Sequence, residues 1–371
     1  MGRKELSPIQ LAWRKFLKNR IAVFGLGVII TFLLIAVLGP LIRLDSSPKA
    51  NQQKLELARK KPGFSAEFLR VPKQYLEERS LLKGIFFGFL PSYTEIPIYQ
   101  YELKGDSIIA EKYTGDQPNN GEIVKYSSEN FSEFEISNII VKKRFLLGTD
   151  RYGRDLLSRL MAGTWISFTV GIISILISLF IGISLGSIAA YFGGKIDELI
   201  MWMINVIWSI PTLLFVIAMT LALGKGLWQV FVAVGLTMWV EVARVVRGQV
   251  MSTKQMEFVE AGRSFGFKNA RIIFRHILPN VTGPIVVISA SNFAAAILIE
   301  AGLSFLGFGA QPPQATWGKM ISEHKGYIIT GDAYLAIFPG IAICLLVLSF
   351  VLVGNGLRDA FDTKGVKNLS L

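Results

Sequence analysis

Apolar positions in this chain gather into long runs, and the charged positions fall between them. Residues 21–42 hold no charge between Arg20 and Arg43, and residues 160–194 hold none over 35 positions. The runs 199–224, 276–299 and 333–357 are also charge-free. A helix needs about 20 apolar residues to cross the hydrocarbon core of a bilayer, so each of these predicts a crossing helix. The run 226–240 is only 15 residues long before Glu241; a crossing there has to extend to about Val246. The pattern therefore predicts six transmembrane helices, with the second running from about Trp165 to Phe192 and the third spanning 199–224 unbroken.

The region between the first two runs follows another rule. Residues 49–71 (KANQQKLELARKKPGFSAEFLRV) are charged and partly helical in pattern, up to a break at Pro62–Gly63. Further on, IPIYQYELKGDSIIAEKYTG and FEISNIIV are short β-rich runs, punctuated by the turn signals KGD and GDQPNNG. Residues 46–144 are thus expected to form a small, partly β subdomain. LLKGIFFGFL (81–90) is too short to span and reads as an interfacial helix.

Charge supplies the orientation. With the N-terminus inside, the inner segments carry 17 Lys and Arg and the short outer ones carry 3, which places both termini in the cytoplasm. The long 43–159 segment is outside and does not bear on this count. With 51% hydrophobic and 18% charged residues, against about 25% charged in soluble domains, the net charge of +12 fits a membrane protein's rim better than a nucleic-acid surface. A single cysteine, Cys344, permits no internal disulfide, and nothing has the spacing of a metal site. A 22-residue apolar run is too long for a cleavable signal.

One basic stretch interrupts the apolar pattern between the fourth and fifth runs: EAGRSFGFKNARIIFRHILPN, residues 260–280. Residues 256–265 form a helix on the 3.6-residue period, with Phe258, Ala261 and Phe265 on one face. Gly266 stops it. A second helix starts at Asn269 as N-cap and aligns Ile273, Phe274, Ile277 and Leu278. Pro279 enters the first turn of the fifth span, where it is tolerated. Two amphipathic helices joined at a glycine present an apolar stripe, either to a partner or to the protein's own helices and headgroups.

These residues resemble the EAA loop of binding-protein-dependent ABC import permeases. SPIQLAWRKFLKNRIAVFG (7–25), LGTDRYGRDLLSRLMAGTWISFTVG (147–171), IEAGLSFLGFGAQPPQATWGKM (299–320), FPG (338–340) and GNGLRDAFD (354–362) are similar to successive parts of the oligopeptide/dipeptide permease C-type subfamily. The resemblance implies an all-α polytopic membrane protein with the six-helix type I importer permease fold. Its parts would be residues 1–45 with the first span, the insertion 46–144, and a core 145–371 holding a coupling loop at about 249–280. The resemblance further implies a permease subunit of the bacterial inner membrane, importing di- or oligopeptides. Its partners would be a second homologous permease, two ATPase subunits and an extracytoplasmic solute-binding protein. The family's loop docks into a groove of the ATPase. Here Glu260, Ala261, Gly262, Gly266, Ile277, Leu278 and Pro279 fall at the coupling positions, with Gly262 where the family has Ala. The 43–146 insertion is longer than the family's usual loop.

Other patterns are weaker. No GxxxxGK[ST] phosphate loop occurs, so the chain itself is not expected to be an enzyme, and no cofactor is expected. Asp150, Arg151, Arg154, Asp155 and Arg159 read as a structural ion network. Glu300, at the end of the fifth apolar run, is a charge where charge is costly; with Asn205, Ser209 and Asn292 it is a candidate for the translocation pathway. Ser and Asn also join helix to helix, Glu300 can equally cap or pair where its span ends at the interface, and Gly171, Gly182 and Gly186 read first as close helix contacts. Three other readings stay open: import of nickel or another small solute, a self-contained secondary transporter, which would show charged groups inside the spans, and a membrane-anchored structural or receptor protein that uses the 46–144 subdomain.

Overall fold

The computed structural model describes residues 8–73, 83–84, 88–104, 107–115, 117–127, 139–224 and 226–362. In chain order these form α1 (Pro8–Lys18), α2 (Arg20–Ile42), strands β1 (Phe64–Pro72), β2 (Tyr93–Lys104), β3 (Ser107–Lys112), β4 (Ile123–Ser127) and β5 (Ile140–Phe145), then α3 (Leu156–Phe192), α4 (Gly194–Trp208), α5 (Thr212–Leu223), α6 (Leu227–Thr253), α7 (Glu257–Ser264), α8 (Thr282–Leu306), α9 (Trp317–His324) and α10 (Tyr334–Phe361). Among the described residues, α2, α3, α6, α10 and the helical stretch Asn269–Leu306 that ends in α8 are long and apolar enough to cross a membrane.

A sixth crossing exists only if α4 and α5 count together, and they are bent 91° apart. This corrects the unbroken 199–224 span. The cause is Pro211, which lacks the N–H needed to continue the ladder and disfavours helical geometry at Ile210. The short 226–240 run errs the other way. Its helix continues to Thr253, carrying Glu241, Arg244 and Arg247 with it.

The chain forms two compact units. The first comprises 1–33, 167–311 and 341–371. Its helices close on small residues of α3. A Cβ at Gly171 would meet Phe293 at 2.4 Å, one at Gly182 would meet Val242 at 2.6 Å, and one at Gly186 would meet the Ala243 carbonyl at 2.5 Å. The glycines expected to mark close packing do so. Val216, Val230, Ala233, Val234, Ala296 and Leu303 fill the space between α5, α6 and α8.

The second unit comprises 34–166 and 312–340 and holds an antiparallel sheet in the order β4-β3-β2-β1-β5. β2 ends at Lys104 and β3 begins at Ser107, and the predicted KGD turn between them falls on Gly105 and Asp106, outside the described residues. β1 was not anticipated: FSAEFLRVP follows the Pro62–Gly63 break, where no strand was read, and it is paired on both sides, with Phe68 opposite Pro97 and Val141. Before it stand only short 3-10 turns at Pro48–Ala50 and Leu55–Leu57. Leu69, Ile98, Ile108, Ala110 and Ile139 pack together, as do Leu57, Ala66, Phe68 and Phe145. The interfacial helix read at 81–90 and the strand start at 134–138 fall largely outside the described residues.

The GTDRYGRD segment forms the expected ion network in part, with Asp155 turned to the Ser158 N–H at 2.9 Å. Asp150 accepts from the Arg154 guanidinium at 2.6 Å and from the main-chain N–H of Tyr152 at 2.8 Å, with Arg159 at 3.8 Å. Trp317 of α9 donates its indole N–H to the Leu160 carbonyl at 2.9 Å.

Candidate functional site

The loop between α6 and α8 is built around a glycine turn. α7 ends at Ser264 with Phe265 as its cap, then Gly266 adopts φ +73°. The Gly266 N–H donates to the Arg263 carbonyl and the Phe267 N–H to the Gly262 carbonyl, at 2.9 and 3.1 Å. These two bonds satisfy carbonyls that the helix end leaves open, and the left-handed φ is one that glycine adopts without steric cost. Gly266 as the helix stop is therefore observed.

The inner side of the loop is packed. Val259, Ile272, Ile273 and Ile277 are buried in one cluster with Ala190 and Tyr191 of α3 and Val242, Val246 and Val250 of α6. The expected second stripe thus divides. Ile273 and Ile277 face the protein's own helices, with Leu278 packed beside them, while Phe274 is 70% exposed. Asn269 is the first helical residue, not the cap, which is Lys268. Its side chain is used elsewhere, as acceptor for the Tyr191 hydroxyl at 2.9 Å. The following residues are not regular α-helix: Ile272–Ile277 makes a π turn and Leu278–Val281, with Pro279, a 3-10 turn before α8.

Tyr191 is the residue sequence reasoning missed. Its ring is buried with the Lys254 ammonium 5.7 Å and the Arg263 guanidinium 5.3 Å from its centre. Lys254 also donates to the carbonyls of Ala190 and Tyr191, at 3.3 and 2.6 Å, capping the negative end of α3. One side chain thus joins the ends of α3 and α6 to α7 and to Asn269. A tyrosine in the last turn of an apolar helix gives little signal in sequence, because its partners lie 63 to 78 residues away.

The outer side is open. Glu260, Ala261, Gly266 and Pro279 are exposed, with Phe258, Phe265 and Phe274 beside them at 39%, 78% and 70%. Gly262 alone of the helix's matched positions is buried, its Cβ position 3.4 Å from the Phe267 ring.

Comparison with known proteins decides what kind of chain carries this loop. A model described as the binding-protein-dependent transport system inner membrane component matches residues 182–365, and one described as the N-terminal TM domain of oligopeptide transport permease C matches 7–62. The glutathione transport system permease protein of Pectobacterium atrosepticum is 40% identical over 242 residues, 65% of this chain and 80% of that one. The oligopeptide and dipeptide transport system permease proteins of Bacillus subtilis are 40% and 42% identical over 217 residues. Those matches cover 58% of this chain, with 71% and 68% of the relatives. The chain belongs to the ABC import permease family. The permeases of this family form the membrane passage, and the ATPase lies on partner subunits. The sheet falls within residues 63–181, between the two model matches.

Within this permease the four candidate pathway residues do not converge. Asn205 is exposed on α4 and accepts from Arg244 of α6 at 2.7 Å, with that guanidinium 3.4 Å from the Trp208 ring centre. One turn further along α6, Arg247 grips Asp197 through two bonds of 2.6 Å. Asn205 is thereby half of a clamp holding α4 to α6. Ser209 lies at the α4–α5 break, its hydroxyl donating to the Val206 carbonyl at 2.7 Å. Asn292 and Glu300 share the buried stripe of α8 at 2% and 1% exposure, with Glu300 accepting from Ser304 at 2.6 Å. Glu300 does not end its span, since α8 continues to Leu306.

Proposed function

We propose that this permease imports di- or oligopeptides, paired with a second homologous permease and driven by two ATPase subunits. A solute-binding protein would deliver the peptide from the side bearing the 64–145 sheet, and both termini would face the cytoplasm. The peptide reading draws on the oligopeptide, dipeptide and glutathione permeases to which the chain is similar.

The coupling reading is carried by one observation. The loop is fastened on its inner side to the ends of α3 and α6, while its outer side leaves Glu260, Ala261, Phe258 and Phe265 open. A rigid element with one bound and one open face passes a displacement at the open face to the helices at the bound one. We assign the open face to an ATPase groove, with Glu260, Ala261 and Gly266 contacting it. Gly262, Ile277 and Leu278 instead hold the loop's shape, with Pro279 at the turn into α8. ATP binding would draw the loops together and rock the spans to an outward-open state. Asn205, Ser209, Asn292 and Glu300 remain pathway candidates, Asn292 and Glu300 through an opening of the α6–α8 contact.

The test is co-purification with the ATPase subunits and peptide uptake in proteoliposomes, with Glu260→Lys against wild type. The reading predicts normal membrane insertion with weakened ATPase retention, or ATP hydrolysis no longer tied to uptake. Wild-type retention and uptake in this variant would remove the loop from the coupling path.

A further inference from the structure

Helix α1 (Pro8–Lys18, PIQLAWRKFLK) stands before the first span as a separate element. Asn19 separates them: its N–H donates to the Phe16 carbonyl at 2.9 Å, closing α1, and its side chain accepts from the Ala22 N–H at 3.1 Å, opening α2. α2 has 23 residues, about 34 Å at 1.5 Å per residue, a little more than the hydrocarbon core. Its first residue, Arg20, therefore lies at the membrane–water boundary. A tether of one residue keeps α1 there as well.

Around α1 the side chains sort into three arcs. Ala12 and Phe16 are buried in a cluster with Ala22, Val353 and Ala360. At 100° per residue, Trp13 and Leu17 lie next to that buried arc, each 50% exposed. Arg14, Lys15 and Lys18 occupy the remaining side, with Leu11 set among them at 45% exposure. The apolar arc is thus wider than the protein that covers it. Trp13 is no stray surface residue, since its ring stacks on Phe16 at 5.4 Å and 10°, which holds the indole at the margin of the buried face. From Pro8 to Arg20 there is no acidic residue, so the outer surface carries positive charge beside apolar groups, with Gln10 as an exposed neutral polar side chain.

We propose that α1 lies in the plane of the bilayer interface, seats Trp13 and Leu17 at the acyl boundary, and gathers anionic phospholipid headgroups with Arg14, Lys15 and Lys18. Tryptophan favours that depth, and a short helix with Lys and Arg on one face and Trp and Leu on the other is the form that lies there. Charge complementarity selects the lipid: each basic residue close to an anionic surface raises association about fivefold, whereas a zwitterionic headgroup offers no net charge to them.

The test uses the full chain in lipid discs of phosphatidylcholine alone or mixed with phosphatidylglycerol, in a Cys344→Ala background. An environment-sensitive fluorophore attached after Leu17→Cys should be quenched by lipids carrying a shallow nitroxide and shielded from aqueous iodide. Shielding should increase with phosphatidylglycerol and fall back at about 1 M salt, where charge acts over only about 3 Å. Lipid extracted from the purified chain should be enriched in phosphatidylglycerol, and Arg14→Gln/Lys15→Gln/Lys18→Gln should lower that enrichment about fivefold or more. Three results would each overturn the proposal: equal iodide quenching in both disc types, enrichment unchanged by the triple substitution, or shielding that arises only when a partner subunit is added. The last would assign the surface to protein.

Discussion

In the loop between α6 and α8, Glu260, Lys268 and Arg271 are exposed, and what fixes the backbone is a glycine turn and a buried tyrosine. In the sheet, Glu95 is 2% exposed at its side chain and is met by Lys143 at 2.6 Å, Lys54 at 2.9 Å and Arg70 at 3.4 Å. The first region keeps these three charges in water, where each contributes little, so its shape depends on backbone geometry and on the packing of Tyr191. The second has taken a carboxylate out of water, and its stability depends on keeping that carboxylate charged and surrounded. Changes of charge should therefore damage the sheet, and changes of conformation should damage the loop.

The largest expected effect follows from Glu95→Gln. The substitution keeps the shape and removes the charge, leaving Lys54, Lys143 and Arg70 around a neutral amide. Breaking a buried pair from one side costs about 3 to 5 kcal/mol. Protease resistance of the 64–145 tract and its thermal unfolding should both fall, while ATPase retention stays at the wild-type level. Unchanged resistance would mean that the cations find water and the cluster carries no stability.

The same cluster sets a pH response. Burial pushes the Glu95 carboxyl upward, but Lys54 and Lys143 outweigh it, so it titrates below its ordinary 4.5. Burial pulls the Lys54 ammonium down more than Glu95 raises it; on the acid side the carboxylate governs, because it faces three cations. A depressed carboxylate contributes stability that is present above its unfolded pKa and is lost as pH falls through the folded one. His324 in the same unit is depressed from 6.5, chiefly by burial and against the Met320 carbonyl that its ring contacts. Acid must therefore charge a buried ring as pH falls below about 6.5. Unfolding of this unit followed against pH should show a first loss below 6.5 and a second below 4.5, and Glu95→Gln should abolish the second alone.

For the loop, the counterpart is Gly266→Val. A β-branched residue at φ +73° costs about 1 to 3 kcal/mol, and nothing lies within 4 Å of the added Cβ, so the penalty is conformational and not steric crowding. Uptake per ATP hydrolysed should drop while the sheet's protease resistance is untouched. Gly266→Asn is the control, because asparagine visits this conformation more readily, and it should keep more of the coupling.

How far each region could be read in advance follows from the range of its interactions. Gly266 was legible because a helix stop is local. The α4–α5 break was legible in principle, since Pro211 stood in the run, but the uniform apolar composition masked it. β1 was missed because Lys54, Arg59, Lys60 and Lys61 just ahead of it have the composition of an exposed helix. Its strand character comes from pairing with Ile140–Phe145, more than 70 residues later — a contact no window of sequence contains. Glu95 and Tyr191 share that limit: each is defined by partners distant in the chain.

Tyr191→Phe tests the long-range side of the loop. It removes one hydroxyl, and with it the 2.9 Å bond to Asn269, while the ring stays between Lys254 and Arg263. A hydrogen bond of this kind contributes about 0.5 to 1.5 kcal/mol net. Insertion and ATPase retention should stay normal, with a modest fall in uptake per ATP and faster amide exchange at Asn269–Arg271. Exchange unchanged from wild type would show that the ring alone fixes the loop.

The smallest effect, and the finest division between backbone and charge, comes from Gly262→Ala. Gly262 is buried in α7 with ordinary helical geometry, and a methyl there would sit 3.4 Å from the Phe267 ring, an ordinary contact distance. Replacing glycine by alanine inside a helix gains up to about 1 kcal/mol, and the methyl would press on the residue whose N–H closes the turn. If the loop's shape is limited by its backbone, this substitution should slow amide exchange across Glu257–Ser264 and leave coupling equal to wild type or slightly tighter. It should leave the sheet's acid response unchanged. Faster exchange would mean that the Phe267 ring cannot yield and that the turn is packed to its limit. In that case Gly262 is required where an alanine was expected, and the loop's conformation rests on side-chain packing as much as on the left-handed glycine four residues later.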